Sequence, residues 1–337
     1  MSERSAFVTG ALGFIGGAIA GRLRAEGWRV RGVDARASAD HGVVAGDISK
    51  PGEWQEAAAG CELMVHTAAV VSNAIGFESQ WQVNVLGTRR AIDAAVAAGA
   101  ERFVLLSSVR AFGDGGFPDG VDEQWPVRPD GSPYVNTKVA AEQVALAAHA
   151  AGELSVTVIR PGDVYGPGSR PWVILPLEML QAGQFALPAG GKGIFSQVYI
   201  DDLVDGILLA ATQPQGVGQI FTLTDGAPVP TAEYFGHLAR IAGKNAPRGL
   251  PTPVLVAAAR VTQFVERLRG RRTENNPETI GYLARSGSYS IDKARELLGF
   301  EPKVALAEGM ARTERWLRDE GLIASAQAGH GSAQTPA

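Results

Sequence analysis

Cysteine is nearly absent from this chain of 337 residues: Cys61 is the only one. A single thiol excludes an intrachain disulfide and a thiolate zinc cluster, and it suits a reducing cytoplasm. An excess of positive charge is also missing. With 31 Lys and Arg against 35 Asp and Glu the net charge is -4, so no general positive field exists to attract nucleic acid. No apolar run reaches the roughly 20 residues of a membrane span. The start, MSERSAFVTG, carries no signal-peptide stretch, so the expectation is a soluble, uncleaved, cytoplasmic protein. No metal site, internal repeat or coiled-coil heptad is expected either. Glycine (42) and proline (19) are plentiful, and 45% of residues are hydrophobic, an ordinary globular balance.

Short β-branched runs alternate with alanine-rich stretches through the first half, the pattern of βαβ units around a buried parallel sheet. The runs predict strands at 5–9, 28–34, 42–46, 63–68, 102–107 and 155–160, with helices over 14–26, 52–59, 79–98 and 133–151. Ser132 is placed to cap the last helix, and Pro133 suits its first turn. After Arg160, RPGDVYGPGSRP breaks the rhythm and marks a shaped loop. The strand QIFTLT (219–224) returns to the sheet. The expected organisation is therefore a dinucleotide-binding domain over 1–166 with returning pieces near 196–224. A smaller, mainly helical substrate-binding region follows in 167–195 and 225–322, then a disordered tail over 323–337. Within the helical part, Val254, Val261, Phe264, Val265 and Leu268 share one side of an amphipathic stretch that ends in RLRGRR, Arg267 to Arg272. An ordinary domain helix with a solvated basic end is favoured there over a helix lying on a membrane.

The sequence FVTGALGFIGG leaves the first strand with Gly10, Gly13 and Gly16 three apart. Such a turn lets the backbone approach a pyrophosphate at a helix N-terminus, so Gly10, Leu12, Gly13, Phe14, Ile15 and Gly16 are candidate cofactor contacts. Asp34, ending the second strand, can bind both adenosine ribose hydroxyls and repel a 2′-phosphate. That favours NAD over NADP, although Arg36 two residues on could pair with such a phosphate. Asp47 and Ile48 are placed for the adenine, and the small Ala68 and Ala69 let a cofactor lie against backbone. His66 reads as a satisfied core histidine.

These motifs, together with NVLGT, LLSSVRAFG, YVNTK, RPGDVYGPG and VYIDDLVDGI in order over residues 5–210, make the chain resemble the extended short-chain dehydrogenase/reductase superfamily. The resemblance implies a Rossmann-type doubly wound α/β fold and a catalytic Ser108, Tyr134 and Lys138. It selects Ser108 by its place five residues before Gly113, and assigns Ser107, Pro161 and the backbone of Val164 to the nicotinamide side. It also implies a homodimer through the helices at 79–98 and 133–151. The chemistry of the pair is independent of the resemblance. A phenol with a pKa near 10 is a poor base, and a lysine one helical turn away favours its ionised form. Tyr134 can then exchange a proton with a substrate hydroxyl while Lys138 holds the nicotinamide ribose. Asn84 is placed to order the serine loop or a relay water, or as a structural amide. Tyr165 reads as packing, and Asp201, Asp202 and Asp205 as structural.

Within that superfamily, dehydratases place an acidic pair directly after the active hydroxyl, whereas Val109 and Arg110 follow Ser108. Cys61 is not placed as a site thiol. Sugar-nucleotide enzymes tend to carry an arginine before the VYIDD element, where this chain has Phe195. Losing that cation favours an uncharged ring substrate, contacted by Val70, Val109, Arg110 and Phe195. The expected function is an NAD-dependent dehydrogenase or reductase close to the 3β-hydroxysteroid dehydrogenase and dihydroflavonol reductase side. The alternatives are an NDP-sugar 4-epimerase and a non-catalytic cofactor sensor.

Overall fold

In the computed structural model, which describes residues 4–129 and 131–324, the β-branched runs form one parallel sheet. Its strands are β1 (Ser5–Thr9), β2 (Arg29–Asp34), β3 (Val43–Ala45), β4 (Leu63–His66), β5 (Arg102–Leu106) and β6 (Val156–Pro161). The short strands β7 (Asp163–Tyr165), β8 (Ala186–Leu187), β9 (Ile194–Phe195) and β10 (Gln197–Tyr199) lie outside it, and β11 (Ile220–Leu223) returns to its edge. The order β11-β6-β5-β4-β1-β2-β3 reverses direction between β1 and β4, and all pairs are parallel. This is a doubly wound sheet, whose switch point opens a crevice at the strand C-termini. Every residue of β1 and β4 is buried, as a sheet covered on both faces requires.

Helix α1 (Phe14–Ala25) follows β1. Next come α2 (Phe77–Gln80), a π-helical turn over Trp81–Leu86, and α3 (Gly87–Ala98), so the helix expected at 79–98 is continuous but widened at its start. Helix α4 (Pro133–Ala150) carries Tyr134 and Lys138. Ser132 stands at its N-cap position with extended backbone, but its hydroxyl does not cap the first turn. The helix expected over 52–59 is reduced to a 3₁₀ turn at Glu56–Ala58. Its span begins beside Pro51 and ends before Gly60, too short for a stable α-helix, and buried Trp54 anchors it instead.

Beyond β7 come α5 (Leu175–Gln181), α6 (Ile200–Thr212), α7 (Thr231–Ile241), α8 (Thr252–Leu268), α9 (Pro277–Leu283), α10 (Asp292–Leu298) and α11 (Leu306–Asp319). Helix α8 forms where its periodicity predicts it, yet the apolar stripe does not face the protein. The residues turned inward include Leu255, Val256, Ala259, Thr262 and Glu266, while Val261, Phe264 and Leu268 are 64%, 62% and 73% exposed. Among the described residues no helix is long and apolar enough to cross a membrane. Most of the expected tail, residues 325–337, lies outside the described residues.

Candidate active site

The glycine turn is shaped by contacts that leave no room for side chains. Gly10 has φ +69°, and a Cβ on Gly16 would sit 2.1 Å from the carbonyl oxygen of Gly10. Gly13 begins α1 with no side-chain cap and no acid in the first turn, which leaves the positive helix end open to an anion. Asp34 closes the turn from β2: its Oδ2 accepts from the Leu12 amide at 3.0 Å and its Oδ1 from Ala35 at 2.7 Å. Phe14 and Ile15 are half-buried at the head of α1, and Arg36 is exposed. The cradle and carboxylate fit a dinucleotide on the physical grounds that suggested it.

Around this cradle the candidates divide. Asp47 is held by Ser49, whose hydrogen bonds pull its carboxyl below the usual range, while Ile48 is buried against Gly87 of α3. Ala68 donates its amide to Thr9 Oγ1 at 3.2 Å, and Ala69 is half-buried beside it. His66 is fully enclosed between Thr9 Oγ1 (2.7 Å) and Thr88 Oγ1 (3.2 Å), and burial lowers its pKa to about 3. It is a neutral, satisfied core residue. Pro161 ends β6 in the interior, and the carbonyl of Val164 accepts from Ser169 at 2.9 Å.

The Ser108 hydroxyl stands beside the Tyr134 phenol and works against the rise in its pKa that burial imposes. Ser108 Oγ accepts from the Arg110 amide at 3.1 Å, which fixes the loop after β5. Lys138 Nζ lies 5.9 Å from the Tyr134 ring centre and donates to the Leu106 carbonyl at 2.8 Å. Burial brings Lys138 down to about 8, against the pull of Glu142. Ser107 has a different partner: its hydroxyl donates to Glu142 at 2.5 Å, one turn beyond Lys138, rather than pointing to the nicotinamide side. Glu142 in turn holds Arg160 through bonds of 2.9 and 2.7 Å in full burial.

Burial raises the Tyr134 pKa, and the cation opposing that rise is Arg110. Its guanidinium lies 5.1 Å from the Tyr134 ring centre and 4.9 Å from that of Tyr282, on α9. It is bonded to both carboxylate oxygens of Asp114 and to Asn73 Oδ1 at 2.9 Å. Tyr282 donates to Asp163 Oδ1 at 2.5 Å, and Arg285 donates to the other oxygen of the same carboxylate. Trp172 stacks on Tyr282 and packs edge-on against Phe195, which is itself enclosed by Tyr234 and Phe235. Phe195 is therefore core, and Trp172 is the partly exposed aromatic in this group. Val109 is wholly buried, and Val70 is pinned through its backbone by Asn84, which also donates to Thr137 on α4. Asn84 is thus a structural amide in the π-helical turn.

Sequence reasoning missed Glu142, Asn73, Asp114, Trp172, Tyr282, Asp163 and Arg285. Glu142 had a signal, since 134, 138 and 142 share one helical face. Tyr282 and Arg285 had none, because they meet the site from more than a hundred residues away. Tyr165 is buried edge-on to Tyr199 and Tyr234, and burial raises its pKa, so it is packing. Asp202 accepts the amides of Lys303 and Val304, and Asp201 and Asp205 pair with surface arginines, all structural bonds. Cys61 is buried, its thiol pushed up to about 11.

A doubly wound sheet with a glycine cradle at its switch point and a tyrosine, serine and lysine across the crevice defines a nicotinamide-dependent oxidoreductase of the extended short-chain type. The sequence model of the NAD dependent epimerase/dehydratase family matches residues 6–223, and the chain belongs to that family. A ketoreductase of 4-hydroxy-2-methyl-3-oxo-4-farnesyl-3,4-dihydroquinoline-1-oxide from Stigmatella aurantiaca is 30% identical, over 90% of this chain and 94% of that protein. A decarboxylating sterol-4-alpha-carboxylate 3-dehydrogenase from Saccharomyces cerevisiae is 29% identical, over 71% and 72%. Among solved structures, MoeE5 in complex with UDP-glucose and NAD superposes with a TM-score of 0.75 at 27% identity, covering 94% of this chain and 99% of that one.

Proposed function

We propose that the chain is an NAD-dependent dehydrogenase or reductase acting on a secondary alcohol or ketone of an apolar ring substrate. The observation that carries this reading is the state of the two arginines beside Tyr282. Arg110 is held by Asp114 and Asn73, and Arg285 is wholly buried and paired with Asp163, so neither is presented to clamp a diphosphate. Aromatic rings gather on these arginines instead: Arg110 lies against both Tyr134 and Tyr282, and the half-buried Trp172 stacks on Tyr282. The farnesylated and sterol substrates named for the two relatives are of that kind.

NAD, when bound, supplies or accepts the hydride. Gly10, Gly13 and Gly16 would receive its pyrophosphate with Leu12, Phe14 and Ile15 around it, and Asp34 its adenosine ribose, favouring NAD over NADP. Lys138, withdrawn from Leu106, would hold the second ribose. Ser108 orients the substrate oxygen by its hydroxyl. Tyr134 gives its phenolic proton to that oxygen in reduction and takes it back in oxidation, which balances the hydride charge. A homodimer through α3 and α4 and a cytoplasmic setting belong to the same reading.

The second reading, an NDP-sugar 4-epimerase, is supported by the likeness to MoeE5 bound to UDP-glucose. NAD-linked turnover across hydroxysteroids, aryl ketones and UDP- or dTDP-sugars separates the two. Activity on the ring ketones is expected, and activity confined to the sugars would overturn the preferred reading.

A further inference from the structure

We infer that α8 is a membrane-docking element: its exposed face lies in the surface of an anionic phospholipid bilayer. The residues Val254, Val261, Phe264, Val265 and Leu268 form one continuous apolar stripe open to solvent, while the opposite seam packs inward on Leu255 and Ala259. Solvent-exposed apolar stripes of this kind mark a surface that is covered in use. The charge around it selects the cover. From residue 254 to 272 there are five arginines and one glutamate, in a chain whose net charge is -4. Glu266 faces the seam and pairs with Arg269 at 2.9 Å. Among the described residues no ion pair holds Arg260, Arg267, Arg271 or Arg272, which flank and cap the stripe.

A second copy of the chain placed on this face in an isologous contact would bring arginine rows together without compensating acids. Anionic headgroups satisfy the same arginines while the stripe enters the acyl boundary, the usual arrangement of an interfacial helix. The position also links to the candidate site. A shallow cavity between α8 and the loop after β4 is lined by Ala74, Gln263, Arg267, Arg271 and Thr273. One residue before Ala74, Asn73 holds Arg110, which lies over Tyr134. A docked α8 therefore sets the mouth of the site near the lipid, where an apolar substrate resides. That link rests on the proposed function; the docking does not.

The test is co-sedimentation of the full chain with vesicles of phosphatidylcholine alone and of phosphatidylcholine with phosphatidylglycerol, at low and high salt. Binding is expected to the mixed vesicles, to weaken with salt, and to fall about fivefold for each arginine removed in Arg267→Gln and Arg271→Gln. The double variant Phe264→Ser with Leu268→Ser should also lose binding, while its thermal melt stays unchanged because both side chains are exposed. No sedimentation at low salt overturns the proposal, as does sedimentation that these variants leave intact. Conversion of a dimeric wild type to a monomer by the double serine variant would assign the face to a second copy and overturn it as well. Sedimentation is read without any substrate, so it fails or succeeds independently of the ring-ketone assay.

Discussion

At the scale of single residues, the electrostatics of Tyr134 depend on an arginine that its motif does not contain. Burial holds the phenol in its protonated form, and Arg110, stacked 5.1 Å from the ring centre, is the charge that opposes it. In the proposed mechanism oxidation draws on the phenolate, so its rate should rise with pH through the phenol's ionisation. Removing the pair with Arg110→Leu and Asp114→Asn takes away the stabilising cation and should move that rise to higher pH. An unchanged pH profile of NAD-linked oxidation would show that Arg110 only packs. His66 makes a second residue-scale prediction. Its folded pKa, about 3, lies below the ordinary value of 6.5, so between those limits the unfolded chain binds a proton that the folded chain does not. Stability from this group is present above pH 6.5 and is lost as pH falls towards 3. Chemical denaturation across that range should show a shallower acid loss for His66→Gln than for the wild type.

At the scale of elements, Glu142 joins three of them: α4 carries it, Ser107 after β5 donates to it, and Arg160 of β6 pairs with it. Glu142→Ala leaves a buried guanidinium uncompensated and should cost about 3–5 kcal/mol in urea unfolding. A loss under about 1 kcal/mol would mean that water reaches Arg160. The elements themselves were largely legible. Short β-branched runs wrote the sheet, and the glycine turn and the face of α4 wrote the cradle and the Tyr134–Lys138 pair. The failures share a physical cause. The 52–59 segment has helical composition but too few residues, and the stripe of α8 has helical periodicity but faces outward. Local pattern reports that an apolar face exists, not what covers it. The partners of Arg110 and the position of Tyr282 arise from contacts across long sequence separations, which no window of sequence contains.

At the scale of the whole molecule, two buried ion pairs hold the site between the sheet and the helical region. Arg160–Glu142 joins β6 of the sheet to α4, and Arg285–Asp163 fastens the end of α9 to β7, bringing Tyr282 over Arg110. The doubly wound half supplies the glycine cradle, and Tyr282 of the later helices covers Arg110, which faces the Tyr134 ring. Proton exchange at Tyr134 with an apolar ring ketone is the claim on which this arrangement converges. It is tested most directly by NAD-linked turnover of such ketones by the wild type and Tyr134→Phe, with NAD affinity measured alongside. The wild type should turn over ring ketones, and the variant should bind NAD equally well but lose turnover by about 10²–10⁴-fold. Undiminished turnover in Tyr134→Phe, or wild-type activity on sugar nucleotides alone, would contradict it.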